Sequence, residues 1–155
     1  MNKAVLGNPI ADFEVPATSN KKIKFSNLKG QNIVLYFYPK DSTPGCTCEG
    51  EDFQSQLNLF EKLNTVVLGV SKDHLKSHEK FKEKYQFQFE LISDADKKLC
   101  DYFDVIKEKT LYGKLFNGIE RSTFLIDKNG VLRKEWRKVK VKGHVDEVLA
   151  AVRDL

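Results

Sequence analysis

Residues 33–51 read IVLYFYPKDSTPGCTCEGE, and this stretch decides how the chain is organised. Its first six residues are an unbroken run of aliphatic and aromatic side chains, which is typical of a strand buried on both faces of a sheet. Pro39 ends the run, because proline has no amide hydrogen to donate to a neighbouring strand. Beyond a polar loop, Phe53, Leu57 and Phe60 fall on one face of an amphipathic helix. The stretch therefore predicts a buried strand, a loop and a helix in succession.

Strand-like and helix-like segments alternate along the rest of the chain. Strands are predicted at residues 12–15, 22–25, 65–70, 89–92, 123–126 and 131–139, turns at 26–30 and 127–130, and helices at 74–85, 96–103 and 145–152. This order predicts an α/β fold, in which helices flank a mixed central sheet and a β-hairpin is added at the N-terminus. In such sheets ligands bind beyond the carboxyl ends of the strands, so the residues that follow Tyr38 are the first place to look for a site.

The composition limits the class of protein. A chain of 155 residues, with 41% hydrophobic and 31% charged residues, fits one globular domain spanning residues 1–155 and excludes a disordered or fibrous chain. Its longest apolar run is far shorter than the roughly 20 residues that span a bilayer, and residues 1–10 lack the apolar core of a secretory signal. We therefore expect a cytoplasmic protein that has no membrane partner.

Charge and cysteine content exclude two further classes. The net charge of +4 is concentrated in residues 133–142, which contain Trp136 as the one base-stacking candidate and carry no nucleic-acid motif. We interpret this segment as a solvated strand whose lysines discourage edge pairing, and expect no nucleic-acid partner. Three cysteines cannot form a fully paired disulfide framework, and a reducing compartment keeps them as thiols. The cysteines are therefore candidates for chemistry.

Cys46 is the strongest of these candidates, because it falls near the first turn of the predicted helix. Free amide groups at a helix start stabilise an anion, and thiols placed there have a lowered pKa. The hydroxyl of Thr43 can donate a hydrogen bond to the sulfur or to a bound oxygen. Pro44 and Gly45 allow a tight turn close to a small ligand. A buried, inert cysteine is the alternative, but a polar Pro-Gly-Cys loop does not favour it.

The same segment resembles a known family. TPGCT at 43–47, after YPKD at 38–41, is similar to the Pro-x-x-x-Thr-x-x-Cys motif of peroxiredoxins, in particular of the bacterioferritin-comigratory or peroxiredoxin Q subfamily. GIERSTFLID at 118–127 resembles the strand that bears the family's active-site arginine, and LISD at 91–94 resembles its Leu-x-Ser-Asp segment. The resemblance covers nearly the whole chain.

The resemblance implies a thioredoxin-like fold and thiol-dependent reduction of hydrogen peroxide and organic hydroperoxides, an antioxidant activity. By the same resemblance, Cys46 is the peroxidatic nucleophile, Thr43 orients the peroxide, Pro39 shields the pocket and Arg121 supports the thiolate. It also implies recycling by thioredoxin or another thiol reductant, a monomer, and no cofactor or metal. Glu49 stays open between a supporting role in the site and a charge that suits the helix start.

The chain departs from the subfamily at the resolving cysteine. Many members carry that residue five positions after the peroxidatic one, where this chain has Glu51. Cys48 would point about 200° away from Cys46 on a helix, so a bond between them requires the first turn to unwind. Cys100, in a later predicted helix, also suits a small buried position. Cys48, Cys100 and an external thiol remain three possible resolving groups.

Two other functions share some of these features. A thioredoxin-like disulfide oxidoreductase would need Cys-x-x-Cys, whereas Thr43 stands where the first cysteine of such a motif would be. A metal-binding module could use Cys46 and Cys48 together with His74 and His78, which are spaced to share one helix face. Its cysteines, however, are closer in sequence than zinc sites usually have them. The two histidines are instead expected to be partly exposed helix residues.

Overall fold

The computed structural model describes residues 3–155. The strands are β1 (Glu14–Ala17), β2 (Lys21–Lys24), β3 (Asn32–Phe37), β4 (Thr65–Ser71), β5 (Glu90–Ser93), β6 (Ile106–Leu111), β7 (Lys114–Ile119), β8 (Ser122–Ile126) and β9 (Leu132–Trp136). The helices are α1 (Pro44–Ser55), α2 (Leu57–Lys62), α3 (Leu75–Tyr85), α4 (Lys98–Tyr102) and α5 (His144–Arg153), with a short 3₁₀ helix at Phe25–Leu28.

Seven strands form one mixed sheet, in the order β2-β1-β5-β4-β3-β8-β9. β3 lies inside the sheet, parallel to β4 on one side and antiparallel to β8 on the other. β1 and β2 form an antiparallel hairpin at the edge beyond β5. The mixed central sheet and the N-terminal hairpin predicted from the sequence are therefore confirmed.

Alternate residues of the central strands build two hydrophobic layers, one on each face of the sheet. Leu35 and Phe37 of β3 belong to the layer that also contains Cys100 of α4 and the N-terminal strands. Val34 and Tyr36 of the same strand belong to the opposite layer, which contains Cys46 and the buried faces of α1, α2, α3 and α5. Because side chains alternate along a strand, the sheet separates these two cysteines.

Several predicted boundaries differ from the structure. β1 continues through Pro16, which the sequence analysis placed outside the strand; the proline is tolerated because β1 pairs with β5 only between Ala17 and Ile92. The turn predicted at 26–30 is mostly the 3₁₀ helix. β9 ends at Trp136 rather than at residue 139, and it is an edge strand, as expected for that basic segment.

The single helix predicted from Phe53 to Phe60 is wrong. Gln56 has a non-helical backbone conformation and divides the segment into α1 and α2. Phe53 and Phe60 are nevertheless both buried in the same layer. The break therefore leaves the apolar face of both helices in the core.

A β-hairpin between residues 106 and 119 was not predicted. Its strands, β6 and β7, form a separate two-stranded sheet around Tyr112 and Gly113, both of which have positive φ, as a tight two-residue turn requires. Leu111, Leu115 and Phe116 are exposed, and Tyr112 is 95% exposed. A hairpin with so few buried side chains lacks the one-sided hydrophobic pattern by which strands are recognised.

The prediction that His78 is partly exposed is also wrong, because its side chain is fully buried. His74, which precedes α3, is exposed. No helix among residues 3–155 is long and apolar enough to cross a membrane.

Candidate active site

Cys46 lies in the first turn of α1, as predicted. β3 ends at Phe37, residues 38–43 form a loop, and α1 begins at Pro44. The structure corrects one expectation, because the Cys46 side chain is only 1% exposed and packs in the same layer as Phe53. No side chain caps the start of α1, so its first amide groups remain available to an anion at the sulfur.

Arg121 precedes β8, the strand that pairs with β3, and its side chain reaches the thiol. Phe37 of β3 pairs with Ser122 of β8, which brings the preceding residue, Arg121, next to the start of the loop that leads to α1. Its Nη2 donates a hydrogen bond to Cys46 Sγ over 3.4 Å. A Cβ atom on Gly45 would lie 3.1 Å from the same nitrogen, so glycine permits this close approach. The structure therefore brings Cys46 and Arg121 together.

Glu49, whose role the sequence left open, also contacts Arg121. Its Oε1 accepts a hydrogen bond from Arg121 Nη1 over 2.7 Å, one turn of α1 beyond Cys46. The side chain is 0% exposed, and Oε2 accepts no hydrogen bond from the part of the chain that the structure describes. Burial raises the pKa of Glu49 to about 7, although Arg121 opposes that rise.

The guanidinium of Arg121 stays positively charged in this site. Burial alone would lower the pKa of Arg121, but Glu49 and then Cys46 raise it above its ordinary value. Its two nitrogens therefore stay hydrogen-bond donors, one to the carboxyl group and one to the sulfur. A planar group with several donors in fixed directions suits this double role.

Thr43 and Pro39 lie in the loop before the thiol. Thr43 is half-buried and immediately precedes α1. Its hydroxyl donates to the carbonyl oxygen of Lys40 over 2.9 Å, so the hydrogen bond to the sulfur that the sequence allowed is not formed. The Thr43 oxygen keeps its lone pairs to accept a hydrogen bond. Pro39 is half-buried at the beginning of the loop.

The other two thiols occupy different environments. Cys48 is exposed while Cys46 is buried, as expected of residues on opposite sides of a helix. Cys100 is buried in the layer across the sheet, where burial and the neighbouring carboxylate of Asp94 raise the pKa of its thiol far above the ordinary value. The fold therefore keeps Cys46 apart from Cys100.

Lys109, on the hairpin that the sequence analysis missed, adds a second positive charge near this site. Its Nζ donates to the carbonyl oxygen of Ile119. Burial and then the charge of Arg121 lower the pKa of Lys109, while Cys46 raises it. The sequence signal for this hairpin was limited to Gly113, which favours a turn between two short segments.

Within residues 3–155, no group of three or more metal-ligating side chains includes a cysteine. Among residues 3–155, the group whose ligand atoms lie within 4.8 Å of one another consists of Asp41, Asp73 and His78. The Cys/His arrangement considered from the sequence is therefore not the one that the fold brings together.

Comparisons with known proteins agree with this geometry. The family model described as the AhpC/TSA family matches residues 6–135. Peroxiredoxin Bcp of Bacillus subtilis is 51% identical over 150 residues, which cover 97% of this chain and 96% of the relative. A structure of Xanthomonas campestris peroxiredoxin Q is 50% identical, covers 97% of each chain and has a TM-score of 0.91. Structures of X. campestris bacterioferritin comigratory protein, concerned with alkyl peroxide reduction, are 49% identical, cover 98% of each chain and have a TM-score of 0.90.

The fold and the thiol–guanidinium pair define a thioredoxin-like enzyme of the thiol peroxidase class. The chain belongs to the AhpC/TSA family, and its similarity is to the peroxiredoxin Bcp and peroxiredoxin Q members of that family. The resemblance noted from residues 38–47 and 118–127 is thereby confirmed.

Proposed function

We propose that Cys46 is the nucleophile that reduces hydrogen peroxide and organic hydroperoxides, including alkyl peroxides. The observation that carries this proposal is the Arg121 guanidinium, which contacts Cys46 Sγ and the buried Glu49 carboxyl group at once. A cation beside the sulfur favours the thiolate, and it also stabilises negative charge that develops on the oxygens of the peroxide.

The reduction of the peroxide by Cys46 needs no cofactor. The Cys46 thiolate attacks one peroxide oxygen, an S–O bond forms and the O–O bond breaks. The leaving oxygen takes up a proton and departs as water or alcohol, and Cys46 becomes a sulfenic acid. Sulfur is oxidised by two electrons, and the peroxide is reduced by the same two.

Thr43 and Pro39 act on the peroxide rather than on the sulfur. Because the Thr43 hydroxyl donates to Lys40, its oxygen is left to accept the hydrogen of the peroxide O–H group. Such a bond orients the peroxide, with its O–O bond in line with the attacking sulfur. Pro39 offers no amide hydrogen and covers the pocket from the start of the loop.

We further propose that an external thiol, such as that of thioredoxin, reduces the sulfenic acid. One thiol condenses with it to release water and leave a mixed disulfide, and a second thiol releases Cys46. Cys100 is a poor resolving group, because it lies across the sheet and its thiol is hard to deprotonate. Cys48 would have to unwind the first turn of α1 to reach Cys46.

The same proposal covers the setting of the enzyme. We place it in the cytoplasm, as a monomer in which residues 1–155 act as one domain, with no nucleic-acid partner. A reducing compartment keeps all three thiols free, as this chemistry requires.

The test is to add one equivalent of cumene hydroperoxide to the reduced protein and to its Cys→Ser variants, followed by peptide mass analysis. We expect one oxygen on Cys46 in the parent and in the Cys48→Ser/Cys100→Ser double variant, which should still turn over with thioredoxin. A Cys46→Ser variant that consumes peroxide at the parent rate would refute the nucleophile. An internal disulfide in the parent, with no turnover by the double variant, would refute the external resolving thiol.

A further inference from the structure

The part of the loop that carries Pro39 and Thr43 has one buried anchor, and it is neither of those two residues. Within residues 39–43, only Asp41 is buried. The next residue, Ser42, has a positive φ of 64°, a left-handed conformation that is unfavourable for a side chain other than glycine. Such a conformation persists when surrounding contacts hold it, so the contacts of Asp41 decide where Thr43 lies.

The Asp41 carboxylate accepts hydrogen bonds from three side chains. Tyr38 Oη donates to Oδ1 over 2.7 Å, and Ser77 Oγ donates to Oδ2 over 2.7 Å. His78 Nδ1 lies 2.7 Å from the same Oδ2. The backbone amide of Asp41 in turn donates to Asp73 Oδ2 over 2.9 Å. Hydrogen bonds therefore connect the loop to α3 and to the residues that follow β4.

His78 faces a hydrogen-bond acceptor at each ring nitrogen. Its Nε2 lies 2.9 Å from the carbonyl oxygen of Ile92, which can only accept, so Nε2 carries a hydrogen. Its Nδ1 faces the Asp41 carboxylate, and two lone pairs would repel each other at that distance. A carboxylate that accepts from Tyr38 and Ser77 as well suits the ionised form, so the hydrogen belongs on Nδ1. The ring is then a buried imidazolium.

We propose that Asp41, held by hydrogen bonds to His78, Tyr38 and Ser77, is a positioning residue that fixes the 39–43 loop so that Thr43 can orient the peroxide. This inference rests on the proposed function of Cys46 and Thr43. Neither Asp41 nor His78 touches the reacting atoms; they act through the loop. A charge-assisted pair is short and directional, which suits it to this task.

The experiment compares two reactions of the same thiol. Cys46 is oxidised by cumene hydroperoxide, which must be oriented by the loop, and alkylated by iodoacetamide, which need not be. The ratio of the two rate constants is measured in the parent and in Asp41→Ala, Asp41→Asn and Asp127→Ala. Asp127 is a matched control, since it is a buried aspartate that accepts hydrogen bonds in a turn at the far end of β8.

We expect Asp41→Ala to lower the ratio on the order of 100-fold, since small misplacement of an orienting group costs about that much. Asp41→Asn should keep a ratio close to that of the parent, because its amide can donate to Nδ1 and its oxygen can accept from Tyr38. Asp127→Ala should lose stability at an unchanged ratio. Nitrogen-15 NMR should show both ring nitrogens of His78 protonated in the parent and only Nε2 protonated in Asp41→Asn.

Equal ratios in Asp41→Ala and Asp127→Ala would overturn the inference. A stoichiometric metal ion held by Asp41, Asp73 and His78 in the purified protein would overturn it too, since the three side chains would then be ligands. A parent whose Cys46 is not oxidised by the peroxide would instead refute the proposed function itself.

Discussion

Replacement of Glu49 by glutamine removes the one carboxyl group that shares Arg121 with the nucleophile. The carboxyl group is buried, and burial raises its pKa to about 7. In the unfolded chain the pKa returns to the ordinary value of 4.5. The folded protein therefore holds a proton on Glu49 that the unfolded chain has already released, throughout the range between those two values.

The sign and size of the effect follow from this difference. A raised pKa in the folded state stabilises the fold fully below pH 4.5, and that stabilisation is lost as the pH rises through about 7. At about 1.4 kcal/mol for each tenfold change in proton affinity, the loss comes to about 3 kcal/mol. Glu49→Gln has no carboxyl group to ionise at this position, so it does not lose this stabilisation. The variant should be more stable than the parent by less than about 1 kcal/mol at pH 5 and by up to about 3 kcal/mol at pH 8.

The pKa of His144 is lowered where that of Glu49 is raised, so the pH dependence of stability of either protein alone contains both effects. The quantity to measure is therefore the difference in stability between the parent and Glu49→Gln. Burial, followed by the charge of Arg121, lowers the pKa of His144 to about 4. Its contribution to stability is present above pH 6.5 and is lost as the pH falls through about 4. Because the parent and Glu49→Gln both contain His144, its effect cancels in their difference.

The assay is urea unfolding from pH 5 to pH 8, followed by the fluorescence of the single tryptophan, Trp136. With an m-value of about 2 kcal/mol per molar urea, the two midpoints should separate by about 1.5 M at pH 8. Glu51→Gln, an exposed change on the same helix, is the control for the loss of a carboxyl group that is not buried. A pH-independent difference between Glu49→Gln and the parent would refute the reasoning.

Three further outcomes are expected. Arg121→Lys loses the planar pair of donors, so the rate of peroxide oxidation in stopped-flow fluorescence should fall about 100-fold; an unchanged rate would contradict the role given to the guanidinium. Gly50→Ala would place a Cβ 2.5 Å from the ring of Phe87 and should cost about 1–3 kcal/mol in urea unfolding, so an unshifted midpoint would count against that packing. In the folded protein a thiol reagent should modify the exposed Cys48, whereas rapid modification of Cys100 would disprove its burial.

Features that depend on neighbours in sequence were predicted well. The apolar run of residues 33–38 and the Pro-Gly-Cys segment after it identified an interior strand and a helix that begins with a thiol in its first turn. Alternating segments likewise predicted a mixed sheet with a hairpin at one edge. Each of these features depends on a local conformational preference, which a few adjacent residues determine.

Features without such a local signal were missed. The hairpin at 106–119 exposes most of its side chains, so no buried face marks its strands. His78 was misjudged as partly exposed because its partner, Asp41, lies 37 residues away in the chain. Glu49 could not be assigned, since a carboxylate at a helix start needs no partner to be favourable there.

The sequence by itself determined that a thiol stands at the start of a helix directly after a buried strand, because strand, loop and helix form from residues near each other. Only the tertiary structure decided which groups meet that thiol. Arg121 is 75 residues from Cys46, and the antiparallel register of β3 with β8 brings the two together. The same sheet puts Cys100 on its opposite face, because successive side chains of a strand point to opposite sides.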